Sequence, residues 1–115
     1  MPDEVSLYIP CYNAEETLGV CIEAVLGQSY RLKEVVVIDD GSTDSTAQVA
    51  GRYPVRVISH SFNKGLAAAR NTAINNIHAD YIASVDADCV PEKEWLSNLM
   101  VHFADPRIAG VGGML

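Results

Sequence analysis

The chain has 115 residues, 49% of them hydrophobic and 20% charged, and a formal net charge of −7. That is enough for one hydrophobic core but not two. The acidic balance excludes a nucleic-acid partner, since no basic stripe is present to neutralise phosphates. No apolar run approaches the ~18 residues of a membrane span. Cys11, Cys21 and Cys89 are odd in number, lack metal-ligand spacing and follow no signal peptide, so they read as reduced thiols of a cytoplasmic chain.

Val5 to Ile9 predicts the first strand, ended by Pro10, which cannot donate to a ladder. Asn13 is the expected N-cap of the next helix, with Glu16 at N3. Leu18, Cys21, Ile22, Val25 and Leu26 follow at helical spacing, and Gly27 closes the helix. Glu34 to Ile38 is a second strand, whose unbroken Val35-Val36-Val37-Ile38 predicts burial on both faces, as in a parallel sheet. Ser42 or Thr43 is expected to cap a helix carrying Ala47, Ala50 and Tyr53, stopped by Pro54, and Val55 to Ile58 is a third strand. A third helix runs from Leu66 to Ile77, with Leu66, Ala69, Ala73, Ile74 and Ile77 on one stripe. Tyr81 to Val85 is a fourth strand. Pro91 then suits the first turn of a helix, with Glu92 and Glu94 beside it and Trp95, Leu96, Leu99, Met100 and Phe103 as its buried face. Ala109 to Leu115 looks like the start of a fifth strand. This alternation predicts βαβ units, hence a doubly wound, mainly parallel α/β sheet with helices on both faces.

In such sheets ligands bind outside the carboxyl ends of the strands. Tyr12, Asp39-Asp40 and Asp86-Ala87-Asp88 fall at the carboxyl ends of three different strands. Asp86 and Asp88 are two apart, so an extended chain points both the same way. Their mutual repulsion calls for a cation between them, and a divalent metal carrying a phosphate supplies one. Tyr12 can stack on a base, and Asp40 can accept from a base N–H. Neither the GxGxxG nor the GxxxxGK[ST] phosphate loop is present, so phosphates would be held through metal and cations. His60, His78 and His102 share no metal-binding spacing and read as surface or boundary residues, and Trp95 reads as core.

Four blocks in order resemble the amino-terminal half of a GT-A-fold, Rossmann-like glycosyltransferase of the inverting family 2. They are Val5 to Glu15, Glu34 to Asp44, Asn63-Lys64-Gly65-Leu66-Ala67-Ala68-Ala69-Arg70-Asn71, and the DXD motif Asp86-Ala87-Asp88. The resemblance implies that Pro10 and Tyr12 line the base pocket with Glu15 nearby, and that Asp40, beside Asp39, reads the base. It implies that Arg70 or Lys64 approaches the pyrophosphate or sugar. Asp86 would bind the ribose or a metal-bound water, and Asp88 would ligate Mn2+ or Mg2+ directly. The implied activity transfers a sugar from a nucleotide-diphospho-sugar, a UDP-sugar foremost, to a glycan, lipid or protein hydroxyl with inversion, in cell-wall or polysaccharide biosynthesis.

The family's general base lies well beyond the DXD, and no residue here takes its place. Residues 1–115 are therefore expected to form the donor-binding half, truncated after the DXD region, with the base beyond Leu115. The full-length form is expected to be peripheral at the inner membrane face. An unfinished fifth strand leaves an open edge that invites self-association. A non-catalytic nucleotide-binding or partner-completed module is the alternative. A nucleotidyltransferase would want a basic glycine-rich loop where Pro10-Cys11-Tyr12-Asn13 stands, and a phosphoacceptor receiver domain would place its paired acids after the first strand.

Overall fold

The computed structural model describes residues 4–101. The expected fifth strand, Phe103 and His102 lie outside them. The elements alternate as expected: β1 (Val5–Cys11), α1 (Leu18–Leu26), β2 (Glu34–Asp39), α2 (Thr46–Ala50), β3 (Arg56–Ser59), α3 (Leu66–Asn76), β4 (Tyr81–Ser84) and α4 (Trp95–Val101). The four strands are all parallel, in the order β3-β2-β1-β4. The chain thus winds outward from β1 to β3, then crosses back to lay β4 on the other side of β1. The crevice between the loops after β1 and β4 is the switch point of a doubly wound sheet.

β1 and β2 sit at the centre because they can be buried on both faces. All seven residues of β1 and five of the six in β2 are buried, as the run without polar alternation requires. Leu7, Ile9, Val35 and Val37 pack with Leu18, Cys21, Ile22 and Val25 of α1 and Ala50 of α2. Tyr8, Val36 and Ile38 face the opposite way, against Ala69, Ala73 and Ile77. Two alanines on that stripe let α3 lie close to the sheet. Leu66 and Ile74, expected on the same stripe, are exposed, as is Leu26 of α1.

Several local expectations are corrected. Pro10 lies inside β1, paired with Ile38. Its missing N–H falls on the β4 side, past the last β1–β4 pair, Tyr8↔Ser84, so no ladder bond is lost. Asn13 caps nothing. Thr17 precedes α1, and Asn13 holds a left-handed φ of 49° in the loop before it. α2 begins after Ser45 rather than at Ser42 or Thr43, and ends before Tyr53. Pro91 is a buried loop residue four positions ahead of α4.

Candidate functional site

Every loop that leaves the carboxyl edge carries polar side chains, and three of these loops are tied to one another. Asn13, turned by its positive φ, donates its N–H to Ser42 Oγ (2.9 Å) and accepts the Thr43 N–H on Oδ1 (2.8 Å). Ala14 N–H donates to Thr46 Oγ1 (2.8 Å), and Glu15 Oε2 accepts from Ser45 N–H (3.1 Å). Asp44 accepts from both the N–H and the hydroxyl of Thr46. The Thr46 hydroxyl, followed by the backbone N–H groups of Thr46 and Glu15, holds the Asp44 carboxyl below its ordinary value.

Asp39 and Asp40 point to opposite faces, as successive strand residues must. Asp39 is buried on the α1 side and accepts from Ser42 N–H (3.1 Å), closing its own turn. Asp40 is buried on the α3 side, where it accepts from three donors. These are His60 Nδ1 (2.7 Å) and Lys64 N–H (2.9 Å) on Oδ1, and Gly65 N–H (2.8 Å) on Oδ2. Burial pushes its carboxyl up, but the hydrogen bonds from His60, Lys64 and Gly65 and the His60 charge outweigh it and leave the group below the ordinary value. Two glycines make this packing feasible. At Gly41 (φ 73°) a Cβ would lie 2.3 Å from the Phe62 carbonyl carbon, so the loops after β2 and β3 touch backbone to backbone. Gly65 (φ 97°) turns its N–H toward Asp40 at the head of α3.

A hollow of about 310 Å3 opens beside Asp40 at this edge. Of the expected site residues, Pro10, Tyr12, Asp40 and Asp86 line it. Asn63, Gly65, Leu66 and Ala69 complete the α3 side, and Cys11 the floor. Asn63 and Gly65 were legible in the third sequence block, though not singled out as site residues. The remaining expected residues stand outside. Asp39 and Glu15 are committed to the loop ties. Lys64 extends over the Phe62 ring, 5.1 Å from its centroid. Arg70 is exposed on α3, one residue past Ala69. Tyr12 lines the hollow and is 47% exposed.

The DXD residues are not extended chain. β4 ends at Ser84, and Asp86 to Cys89 form a turn closed by Cys89 N–H donating to Asp86 O (3.0 Å). Ala87 is buried in the core and anchors that turn, while Asp86 and Asp88 are exposed. A carboxylate oxygen of each and Cys89 Sγ lie within 4.8 Å of one another. Spacing alone had set Cys89 aside, and its adjacency to Asp88 was the available signal. Burial, then Asp88 and Asp86, pushes its thiol up, and the two carboxylates are the hard oxygen donors of the group. That hard donor set fits Mn2+ or Mg2+. Neither Asp86 nor Asp88 has an ion-pair partner among the described residues. Burial, then the same acids and Cys89, pushes the Cys21 thiol to about 12.

His60 is a boundary residue with a hydrogen-bonded side chain, 7% exposed, that spans from Asp40 to Thr72, with Nε2 2.7 Å from Thr72 Oγ1. Its place after β3 was the signal, since β3 also ends at this edge.

A doubly wound parallel sheet with an aromatic, a buried acid and an exposed acid pair gathered at its carboxyl edge is the arrangement of an α/β domain that takes a ligand there. The chain belongs to glycosyl transferase family 2, which it matches over residues 6–115. It is 34% identical over 101 residues to glycosyltransferase GlyA of Streptococcus pneumoniae, covering 84% of this chain and 14% of that protein. It is 33% identical over 116 residues to glycosyltransferase AglE of Haloferax volcanii, covering 95% of this chain and 38% of that one. Among solved structures, mannosyltransferase PcManGT of Pyrobaculum calidifontis, in complex with GDP-Man and Mn2+, superposes with a TM-score of 0.86. That match has 28% identity and covers 92% of this chain and 34% of that chain. TarS of S. aureus in complex with UDP-GlcNAc matches at a TM-score of 0.80 and 25% identity, over 97% of this chain and 37% of that chain. The fold is that of the GT-A glycosyltransferases. The chain spans well under half the length of these relatives. No described helix is long and apolar enough to cross a membrane.

Proposed function

We propose that this chain is the nucleotide-diphospho-sugar-binding half of an inverting glycosyltransferase. The observation that carries it is the convergence of Tyr12, Asp40 and Asp86 on one hollow, with Asp88 beside it. A hollow of about 310 Å3 is at the low end of small-molecule sites, which suits the nucleoside, with the diphosphate lying toward the Asp86–Asp88 turn. Tyr12 stacks on the base, Pro10 walls it, and Asp40 accepts from a ring N–H. Arg70 or Lys64, neither in an ion pair among the described residues, supplies positive charge to the diphosphate or sugar. Asp86 and Asp88 hold a divalent cation, Mn2+ or Mg2+, which when bound neutralises the departing diphosphate as a Lewis acid.

In the reaction an acceptor hydroxyl attacks the anomeric carbon from the face opposite the diphosphate. The new C–O bond forms as the bond to the diphosphate breaks, inverting the centre. The hydroxyl proton passes to a carboxylate that residues 4–101 do not supply. Glu94 is turned away from the hollow, accepting from Ser29 Oγ (2.6 Å) in the loop after α1, and the Glu92 carbonyl accepts from Gln28 nearby. The donor is a UDP-sugar in this reading, and the acceptor a glycan, lipid or protein.

Calorimetric titration with UDP, GDP, CDP and dTDP, each with and without Mn2+, tests the proposal. Metal-dependent binding of one nucleotide is expected. A folded chain that binds none of them removes the reading of these residues as a donor site.

A further inference from the structure

Asp40 is held by three donors, two from the backbone and one, His60, from a side chain. A carboxylate offers about four acceptor positions. On Asp40, His60 Nδ1 and Lys64 N–H occupy Oδ1, and Gly65 N–H takes one position on Oδ2. One position on Oδ2 is left, on a carboxylate that lines the hollow. The imidazole that sets this arrangement is fixed at its other end by Thr72 of α3, 12 residues along the chain. Nδ1–H must donate to the carboxylate, since a carboxylate in its ionised form only accepts. The sheet end at β3 and the first turns of α3 are thereby locked around one acid.

We propose that His60 is the positioning residue that makes the hollow select bases with a ring N–H donor, namely uracil, guanine and thymine, over those presenting a ring nitrogen acceptor, namely cytosine and adenine. This rests on the reading of the hollow as a base pocket. With His60 in place, the remaining Oδ2 position presents an acceptor that such an N–H satisfies, whereas a ring nitrogen at the same place is repelled and cytosine or adenine must shift to offer its exocyclic amine instead. Without His60, Oδ1 keeps only the Lys64 N–H and the brace from Asp40 to Thr72 is lost, so the carboxylate is aimed less firmly and the distinction narrows.

The test measures UDP, GDP and CDP binding with Mn2+ in the parent, His60→Phe and His60→Asn, with Tm recorded for each. Asn places an amide N–H where Nδ1 stands and keeps the bond to Asp40. The parent should bind UDP or GDP at least about tenfold more tightly than CDP. His60→Phe should narrow that preference to about threefold or less while binding CDP within about twofold of the parent, and His60→Asn should recover it. If His60→Phe lowers Tm too far to titrate, Thr72→Val, which frees only the Nε2 end, should still narrow the preference by a few-fold. A preference unchanged in His60→Phe, or a uniform loss for all three nucleotides, overturns the role of His60 and leaves the nucleotide site standing. A parent that binds CDP as tightly as UDP and GDP overturns it too. A parent that binds no nucleotide removes the base pocket, and the role of His60 with it.

Discussion

The loops after β1, β2 and β3 are bound to one another by side-chain and backbone contacts, whereas the turn after β4 is held from below by Ala87 and leaves its acids in solvent. On the first side, Asp40 and Asp44 are already satisfied by donors and a ligand meets a preset surface. On the second, the Asp86 and Asp88 carboxylates lie close together, and neither has an ion-pair partner among the described residues. In the proposed reading this difference divides the site's work, with the braced groups meeting a flat, neutral base and the exposed acid pair a metal.

The largest effect is expected at Gly41. Gly41→Ala forces a Cβ to 2.3 Å from the Phe62 backbone at a positive φ, and strain and overpacking together should cost at least about 3 kcal/mol. A chemical denaturation curve should show a large fall in midpoint or no folded baseline, and a parent-like midpoint would show that the two loops do not depend on this contact. Asp88→Asn should act only on the charged side. Its side chain is exposed, so stability should stay within about 0.5 kcal/mol of the parent, while Mn2+-dependent UDP binding disappears in calorimetry. UDP binding that keeps its Mn2+ dependence would remove Asp88 as a ligand.

Tyr12→Ala should weaken UDP binding about tenfold both with and without Mn2+, the magnitude of one base–aromatic stack. A loss confined to the Mn2+ titration would place Tyr12 on the metal side instead. The smallest expected effect is on acid stability. The folded Asp40 carboxyl lies below its ordinary 3.8, so its contribution is fully present above that pH and is lost as pH falls from there through the lower folded value. Circular dichroism across an acid titration should therefore fall more steeply below about pH 4 in the parent than in Asp40→Asn, which has no proton to gain.

The strand–helix order, the burial of Val35 to Ile38 on both faces and the gathering of acids at one edge are local consequences of composition and period, and all were legible in the chain itself. The face of α3 built from Ala69, Ala73 and Ile77 was too. What could not be read were the partners of short polar side chains. Asn13 looks like a helix cap in any local window, yet its hydrogen bonds reach residues 29 and 30 positions away. Pro10 looks like a strand breaker until β4 is seen to stop short of it. His60 has no neighbour in sequence that explains it, because Asp40 and Thr72 are brought to it by the sheet and by α3. Period and propensity act over a few residues, so the chain alone determined which elements form and which ends they present. Hydrogen bonds between loops depend on which strands become neighbours, and only the packed sheet decided those.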